Sequence, residues 1–303
     1  MHSMNTRYDW DDIRFFLEVT RLGTISKAAA RLSVDHTTVS RRIDRLEKSL
    51  KTRLFVRGIR GFKPTPEALR LIATAETMET AAIIGRAAVN EDVLSPTVVR
   101  IGAPDGFGSI YLAPRLASLC KNKTSLHIEL IATARNFSLT KREADIAFSL
   151  TRPTQGRIIA RKLTEYSLYV YASADYLNDN GAITDIKDLR RHPFISYIDD
   201  LLFTPELDYL GTISKNIVAP FRSANLLAQL QACLSGAGLA VMPAFLVHEY
   251  SSLIPILRDR VHLTRTFYMQ MHEDSRRIRL IQNVADFISD HVRADKAIFR
   301  PYD

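Results

Sequence analysis

Arg41, Arg42 and Arg45 share one side of a short segment with Thr38, and Val39, Ile43, Leu46 and Leu50 share the other. Apolar residues spaced by four, three and four form the stripe of a helix seated on a small core. The opposite face then presents hydroxyls and guanidinium groups. A guanidinium forks onto guanine O6 and N7 or neutralises a phosphate, and a hydroxyl meets a phosphate or a base edge. That is the chemistry of a helix that reads DNA rather than of a merely solvated surface. Thr37 falls in the first turn of the same segment.

The stretch from Ser26 to Glu47 reads as two short helices and a tight turn. Gly23 stops a preceding helix, Ser26 caps the next, and Asp35 caps the arginine-bearing one. The link from Leu32 to Asp35 has the length of a helix-turn-helix connection. Ser26 and Lys27, where the first helix of the pair opens, are further candidates for DNA contact. Upstream, Trp10, Ile13 and Leu17 with Phe16 supply a third helix to enclose a mini-core. Downstream, two apolar runs, 54–56 and 59–62, surround Gly58 and Gly61 and predict a hairpin, the wing of a winged helix-turn-helix. Arg57, Arg60 and Lys63 then sit near its tip, within reach of phosphates or the minor groove. Residues 27–63 hold eleven Lys or Arg against three acids, an excess equal to the +8 of the whole 303-residue chain. Charge concentrated in one small module is the footprint of nucleic-acid binding.

The length predicts two or three domains of roughly 100–200 residues. No run approaches the roughly 20 apolar residues of a membrane span. The start, MHSMNTRYDWDD, has no signal-peptide core, so a cytoplasmic, nucleoid-associated protein is expected. Cys120 and Cys233 stand alone and read as reduced thiols. No HExxH, P-loop, GxSxG or CxxC motif occurs. Gly236 and Gly238 lack the third glycine and the acid of a dinucleotide loop. The expectation is a non-enzyme without cofactor or metal. A solute-binding or enzymatic α/β protein with a basic interaction module is the rival.

Thr65-Pro66-Glu67 is a helix start, and the helix is expected to run to about Asp92. Positions 71, 75, 78, 82, 85 and 89 form a heptad seam of Leu, Ala, Met, Ala, Gly and Val, suited to close pairing of two helices as a dimerising linker. From Thr97, strand-like runs (VVRIGA, LHIELIA, ADIAFSL, YSLYVYAS, PFISYI, GLAVMPAFL) alternate with helical ones, which predicts an α/β architecture with mostly parallel sheets. Ligands in such folds bind beyond the carboxyl ends of strands. The loops there contain Ala103, Pro104, Asp105 and Ser109, then Thr133, Arg135 and Asn136, then Ser149 and Arg152, and later Tyr197, Arg222 and Ser223. Arg135, Arg152 and Arg222 suit a bidentate clamp on a carboxylate. Ser109, Ser149 and Ser223 add hydroxyls, and Asp105 suits a donor or a cation. A small polar or anionic metabolite is the expected effector.

These features together resemble the LysR-type transcriptional regulators. The likeness is carried by FFLEVTRLGTISKAAARLSVDHTTVSRRIDRLEKSLKTRLFVRGIRGFKPTPEA, and continues through VRIGAPDGFGSIYLAPRLASL, KREADIAFSLTRP and LLAQLQACLSGAGLAVMPAFL. It implies a winged helix-turn-helix at 1–65, a dimerising linker helix at 66–93 and an effector-binding domain at 97–303. That domain is built of two α/β lobes similar to periplasmic binding proteins, one about 97–165 with 269–303 and the other about 166–268. It further implies homodimers or homotetramers on imperfect dyads in promoter DNA, a small-molecule effector between the lobes and contact with RNA polymerase. Ser40 and Arg41 match positions that contact DNA in the family. Many members have Ser-Gln-Pro-Ala where this chain has Asp35-His36-Thr37-Thr38, which gives His36 the place of the usual base-reading glutamine.

Overall fold

The computed structural model describes residues 8–58, 61–89, 97–123, 126–139, 142–153, 157–213 and 217–302. The chain divides into two compact units, the first of residues 1–93 with 140–142 and the second of residues 94–139 with 143–303.

In the first unit, α1 (Trp10–Leu22), α2 (Ile25–Leu32) and α3 (His36–Leu50) precede a hairpin of β1 (Phe55–Gly58) and β2 (Gly61–Pro64), and α4 (Pro66–Val89) follows. Ile13, Phe16 and Leu17, Ala28 and Ala29, Val39, Ile43 and Leu46, and Leu54 and Phe55 bury together in one core. Asp9 caps α1, and Gly23, left-handed at φ 72°, ends it. The cap of α2 is Thr24, whose Oγ1 accepts from Lys27 N at 3.3 Å. Ser26, expected to be that cap, is instead the second residue of the helix, and its side chain is exposed. Phase explains the difference. Ala28 and Ala29 must face the core, which places Ile25 within the helix and leaves Thr24 in the extended conformation that a cap requires.

The hairpin pairs Val56 with Lys63 and Gly58 with Gly61. Gly61 lies at φ 112°, and a Cβ there would meet Gly23 O at 2.4 Å. Only glycine therefore lets Phe62 N donate to Gly23 O at 2.8 Å, the bond that ties the wing to the C-terminal end of α1. Helix α4 begins after Thr65, whose Oγ1 accepts from Ala68 N at 3.2 Å. The predicted end near Asp92 lies outside the described residues. Two of the six seam positions serve the unit itself: Ala75 is buried in its core and Leu71 packs on it, while Ala82 and Gly85 are exposed.

The second unit contains β3 (Thr97–Ala103), α5 (Ala113–Asn122), β4 (Leu126–Ala132), β5 (Ile146–Ser149), β6 (Ile158–Ser173), α6 (Ala174–Asn180), β7 (Phe194–Ser196), α7 (Leu210–Ile213) and β8 (Phe221–Arg222). It continues with α8 (Leu226–Leu234), β9 (Leu239–Pro243), α9 (Ala244–Val247), β10 (Leu253–Ile256), β11 (His262–His272), α10 (Arg279–Ala294) and α11 (Lys296–Phe299). The sheet order is β4-β3-β5-β11-β6-β9-β7-β8, with β10 also on β6. The expectation of mostly parallel strands needs correction. β3 is parallel to β4 and β5, and β7 to β8 and β9, but these groups are joined by the antiparallel pair β6 and β11. The sequence run YSLYVYAS is the second half of the 16-residue β6, and GLAVMPAFL turns from strand into helix at Ala244. Phe107, Tyr111, Phe148, Tyr166, Phe245, Phe267 and Phe299 fill the space against the two joining strands. Phe107 and Tyr166 stack on either side of Phe267, each with ring centroids 4.4 Å apart.

Candidate nucleic-acid interface and effector cleft

The first turn of α3 is organised by Asp35. Its carboxylate accepts from Thr38 N at 2.7 Å, from Thr38 Oγ1 at 2.8 Å and from Thr37 Oγ1. These hydrogen bonds hold the Asp35 carboxyl far below the ordinary carboxylate range, the Thr37 hydroxyl contributing most. Each threonine thereby commits its single hydroxyl proton and turns lone pairs outward. Phosphate oxygens are acceptors as well, so these two hydroxyls are matched to base-edge amino groups rather than to the backbone.

The arginines divide into two kinds. Arg45 forks onto Asp12, with Nε and Nη2 each 2.6 Å from an oxygen, and also reaches Asp9 at 2.8 Å. Arg42 pairs with Asp9 and Asp12 at 3.2 Å and with Asp11 at 3.0 Å. Both, expected on the DNA, also clamp α3 to the start of α1, and the Arg45 side chain remains 51% exposed. Arg57 pairs with Asp44 at 2.8 Å. Arg41, Lys27 and Lys63 are exposed and have no ion pair among the described residues. Arg60 lies outside those residues. His36, Thr37, Ser40, Arg41, Asp44, Arg45 and Lys48 line one shallow concavity on the outer face of α3. Lys48 was missed as a candidate, although its spacing of seven from Arg41 places it on the same helical face. Glu47 was missed too. It is buried, and its Oε1 accepts from Leu54 N at 2.7 Å and Phe55 N at 3.1 Å, which fastens the root of the wing.

In the second unit, the loop after β3 buries Ala103, Pro104 and Asp105, with Ser109 half-buried one helical turn on. Asp105 Oδ2 accepts from Leu226 N, at the start of α8, at 2.6 Å. A Cβ on Gly106 would meet Leu226 Cδ2 at 2.7 Å, so the loop and α8 are closely apposed. Asn136 Nδ2 donates to Phe203 O at 2.9 Å. Two of the three arginines expected to clamp an anion are engaged elsewhere. Arg135 pairs with Glu143 at 2.7 Å and lies over the Phe137 ring, and Arg222 pairs with Asp199 and donates to Tyr197 O at 3.1 Å. Arg152 is exposed and has no ion pair among the described residues. Ser149 Oγ donates to Thr151 O at 2.6 Å and accepts from Gln270, and Ser223 Oγ accepts from Asn225 N at 3.1 Å. Tyr197 is buried against Tyr209. Thr133 Oγ1, just past the end of β4, is buried with no hydrogen-bond partner among the described residues.

Burial raises the Asp105 carboxyl above its usual value despite backbone hydrogen bonds from Leu226, Gly106 and its own amide. Folding therefore favours the protonated form. The associated stability is fully present below the ordinary carboxylate value and is lost as pH rises through the raised one. The urea midpoint of this unit is expected to decline across that acidic window more steeply in the wild type than in Asp105→Asn. Parallel profiles for the two proteins contradict this assignment.

Two family models account for this layout. Residues 10–69 match the bacterial regulatory helix-turn-helix protein of the lysR family, and residues 95–293 match the LysR substrate binding domain. The chain belongs to the LysR-type transcriptional regulators. It is 31% identical over 240 residues to the Mau operon transcriptional activator of Paracoccus denitrificans, covering 78% of this chain and 80% of that relative. Among solved structures, the LysR-type regulator CrgA of Neisseria meningitidis superposes with a TM-score of 0.57 at 22% identity, over 94% of this chain and 99% of that one. Full-length LysG of Corynebacterium glutamicum with bound effector Arg superposes with a TM-score of 0.63 at 16% identity, over 93% and 97%. As in other LysR-type chains, a DNA-binding helix-turn-helix thus precedes an effector-binding domain of periplasmic-binding type. The matched families are those of regulators and not of an enzyme. No described helix is long and apolar enough to cross a membrane.

Proposed function

We propose that this LysR-type regulator binds imperfect dyads in promoter DNA as a homodimer or homotetramer in the cytoplasm, on the nucleoid, where it contacts RNA polymerase. In this reading residues 1–65 are the winged DNA-binding module and 66–93 the dimerising linker. Residues 97–303 form the effector-binding domain, with one lobe about 97–165 and 269–303 and the other about 166–268. The observation that carries it is the open face of α3, where His36, Thr37, Ser40, Arg41, Arg45 and Lys48 line one concavity with Asp44, while Arg42 folds against the start of α1. Ser26, Lys27, Arg57 and Lys63 flank that face as backbone contacts, and Arg60, outside the described residues, is proposed as a further one. The exposed small residues Ala82 and Gly85 support close pairing of α4 with its copy.

The effector is a small polar molecule held between the lobes by Thr133, Arg152 and their neighbours, and the buried unpartnered Thr133 hydroxyl supports that placement. LysG, of the same fold, holds its arginine effector as a full-length protein. Such a ligand acts through its different affinity for two lobe arrangements, which the linker helices relay to the DNA-binding modules.

Gel-shift titration on DNA upstream of the protein's own or a neighbouring gene tests the DNA reading. Arg41→Ala is expected to weaken specific binding by roughly 1–3 kcal/mol, the worth of a good bidentate base contact. Arg42→Ala, which removes ion pairs to Asp9, Asp11 and Asp12, is expected to lower the melting temperature of the module while the folded fraction keeps its specific affinity. An Arg41→Ala protein with full specific affinity rejects the assignment, and absence of any salt-sensitive DNA binding by the wild type rejects the regulator reading of this face.

A further inference from the structure

A third concentration of charge lies outside both the DNA-binding face and the cleft. A cavity of about 400 Å³ opens between the middle of β6, residues 161–165, and the C-terminal helices α10 and α11. Its walls carry five cations, Arg161, Lys162, Arg293, Lys296 and Arg300, and one carboxylate, Glu165. Lys162 at 2.6 Å and Arg300 at 2.9 Å bind Glu165. These contacts, Lys162 foremost, hold its carboxyl below the usual range, so it is ionised at neutral pH. Arg161 donates to Ser289 Oγ at 2.7 Å and lies 3.4 Å from Asp286, and Arg293 lies 3.0 Å from Asp290. Among the lining residues cations thus outnumber carboxylates five to one, with Asp286 and Asp290 pairing Arg161 and Arg293 from beside the cavity.

The position of the cavity gives that excess a consequence. The register of β6 on β11 pairs Thr164 with Phe267 and Lys162 with Tyr268, so Leu163 is skipped as a bulge. The cavity therefore lies against the irregular point of the ladder that joins the two lobes.

We propose that this cavity is a second effector site, distinct from the interlobe cleft, for a small dianion: a dicarboxylate or a phosphate group. Its two charges would bridge Arg161 and Lys162 on the strand to Arg293, Lys296 and Arg300 on the helices. Bound there, it ties α10 and α11 to the bulged stretch of β6 and biases the lobe arrangement to the extent that it prefers one arrangement.

The test is thermal melting and calorimetric titration of the full chain with inorganic phosphate and with succinate, each against chloride at matched ionic strength. At least one dianion is expected to bind saturably and raise the melting temperature of the second unit, and the one that does identifies the source of the charge. The double variant Lys162→Gln/Lys296→Gln should melt like the wild type in chloride and bind the dianion at least about tenfold more weakly, a difference of about 1.4 kcal/mol. Lys162→Arg/Lys296→Arg, which keeps the charges, should retain binding. Arg152→Gln, on the interlobe cleft, should leave it unchanged. An equal response to chloride, no response to either dianion, a response that survives the glutamine variant, or one that Arg152→Gln abolishes overturns the proposal.

Discussion

Phe107→Ala is expected to destabilise the second unit by about 3–5 kcal/mol, the range for removing a fully buried phenylalanine ring. The ring is 1% exposed. It stacks on Phe267 at 4.4 Å and on Tyr111 at 5.4 Å, and meets the edges of Phe148 at 5.2 Å and Phe245 at 6.0 Å. Those partners come from β11, β5, α9 and the turn before α5, so no single neighbour can move to fill the hole. Phe107→Leu, which keeps most of the volume, should cost clearly less. Differential scanning calorimetry of the full chain reads the loss. Trp10, the chain's single tryptophan, packs on the core of the first unit and reports that unit separately. A fall in the Trp10 transition equal to that of the second unit contradicts the prediction.

Glu47→Ala should destabilise the first unit by about 2–4 kcal/mol and abolish specific DNA binding with it. The figure follows from two backbone donors, Leu54 N and Phe55 N, that lose their shared acceptor in a buried place. The ion pair of Glu47 with Arg53 adds little, because the arginine side chain is 77% exposed. Glu47→Gln keeps an acceptor oxygen and should retain more than half of the stability difference. Urea unfolding followed at Trp10 measures both variants, and equal midpoints for Ala and Gln reject the anchoring role.

Periodicity explains what the sequence made legible. Val39, Ile43 and Leu46 each repeat on one helical face and are buried as expected, and the Asp35 cap is likewise a local signal. Pairings between distant residues have no such signature. Asp12 lies 33 positions from Arg45, and nothing near either one announces that the carboxylate captures the guanidinium. Likewise the ion pairs of Arg135 with Glu143 and of Arg222 with Asp199 leave no mark in the pattern of the chain. β11 has no clear signature because HLTRTFYMQMH is mostly polar and partly exposed at one end and buried throughout at the other, matching neither strand pattern along its whole length.

That strand pair sets the mechanics of the effector domain. Backbone pairing of β6 with β11 runs from Ile158 opposite His272 to Tyr169 opposite His262, and β5 extends it on one side and β9 on the other. Sliding one lobe past the other would break that ladder along its length. Rotation about the strand axis would leave it nearly intact, concentrated at the bulge where Leu163 is skipped. The domain should accordingly behave as a torsion spring, with its stiffness set by a few residues around one irregular pair. Substitutions there would alter how far the lobes turn for a given ligand, while leaving untouched the atoms that hold it.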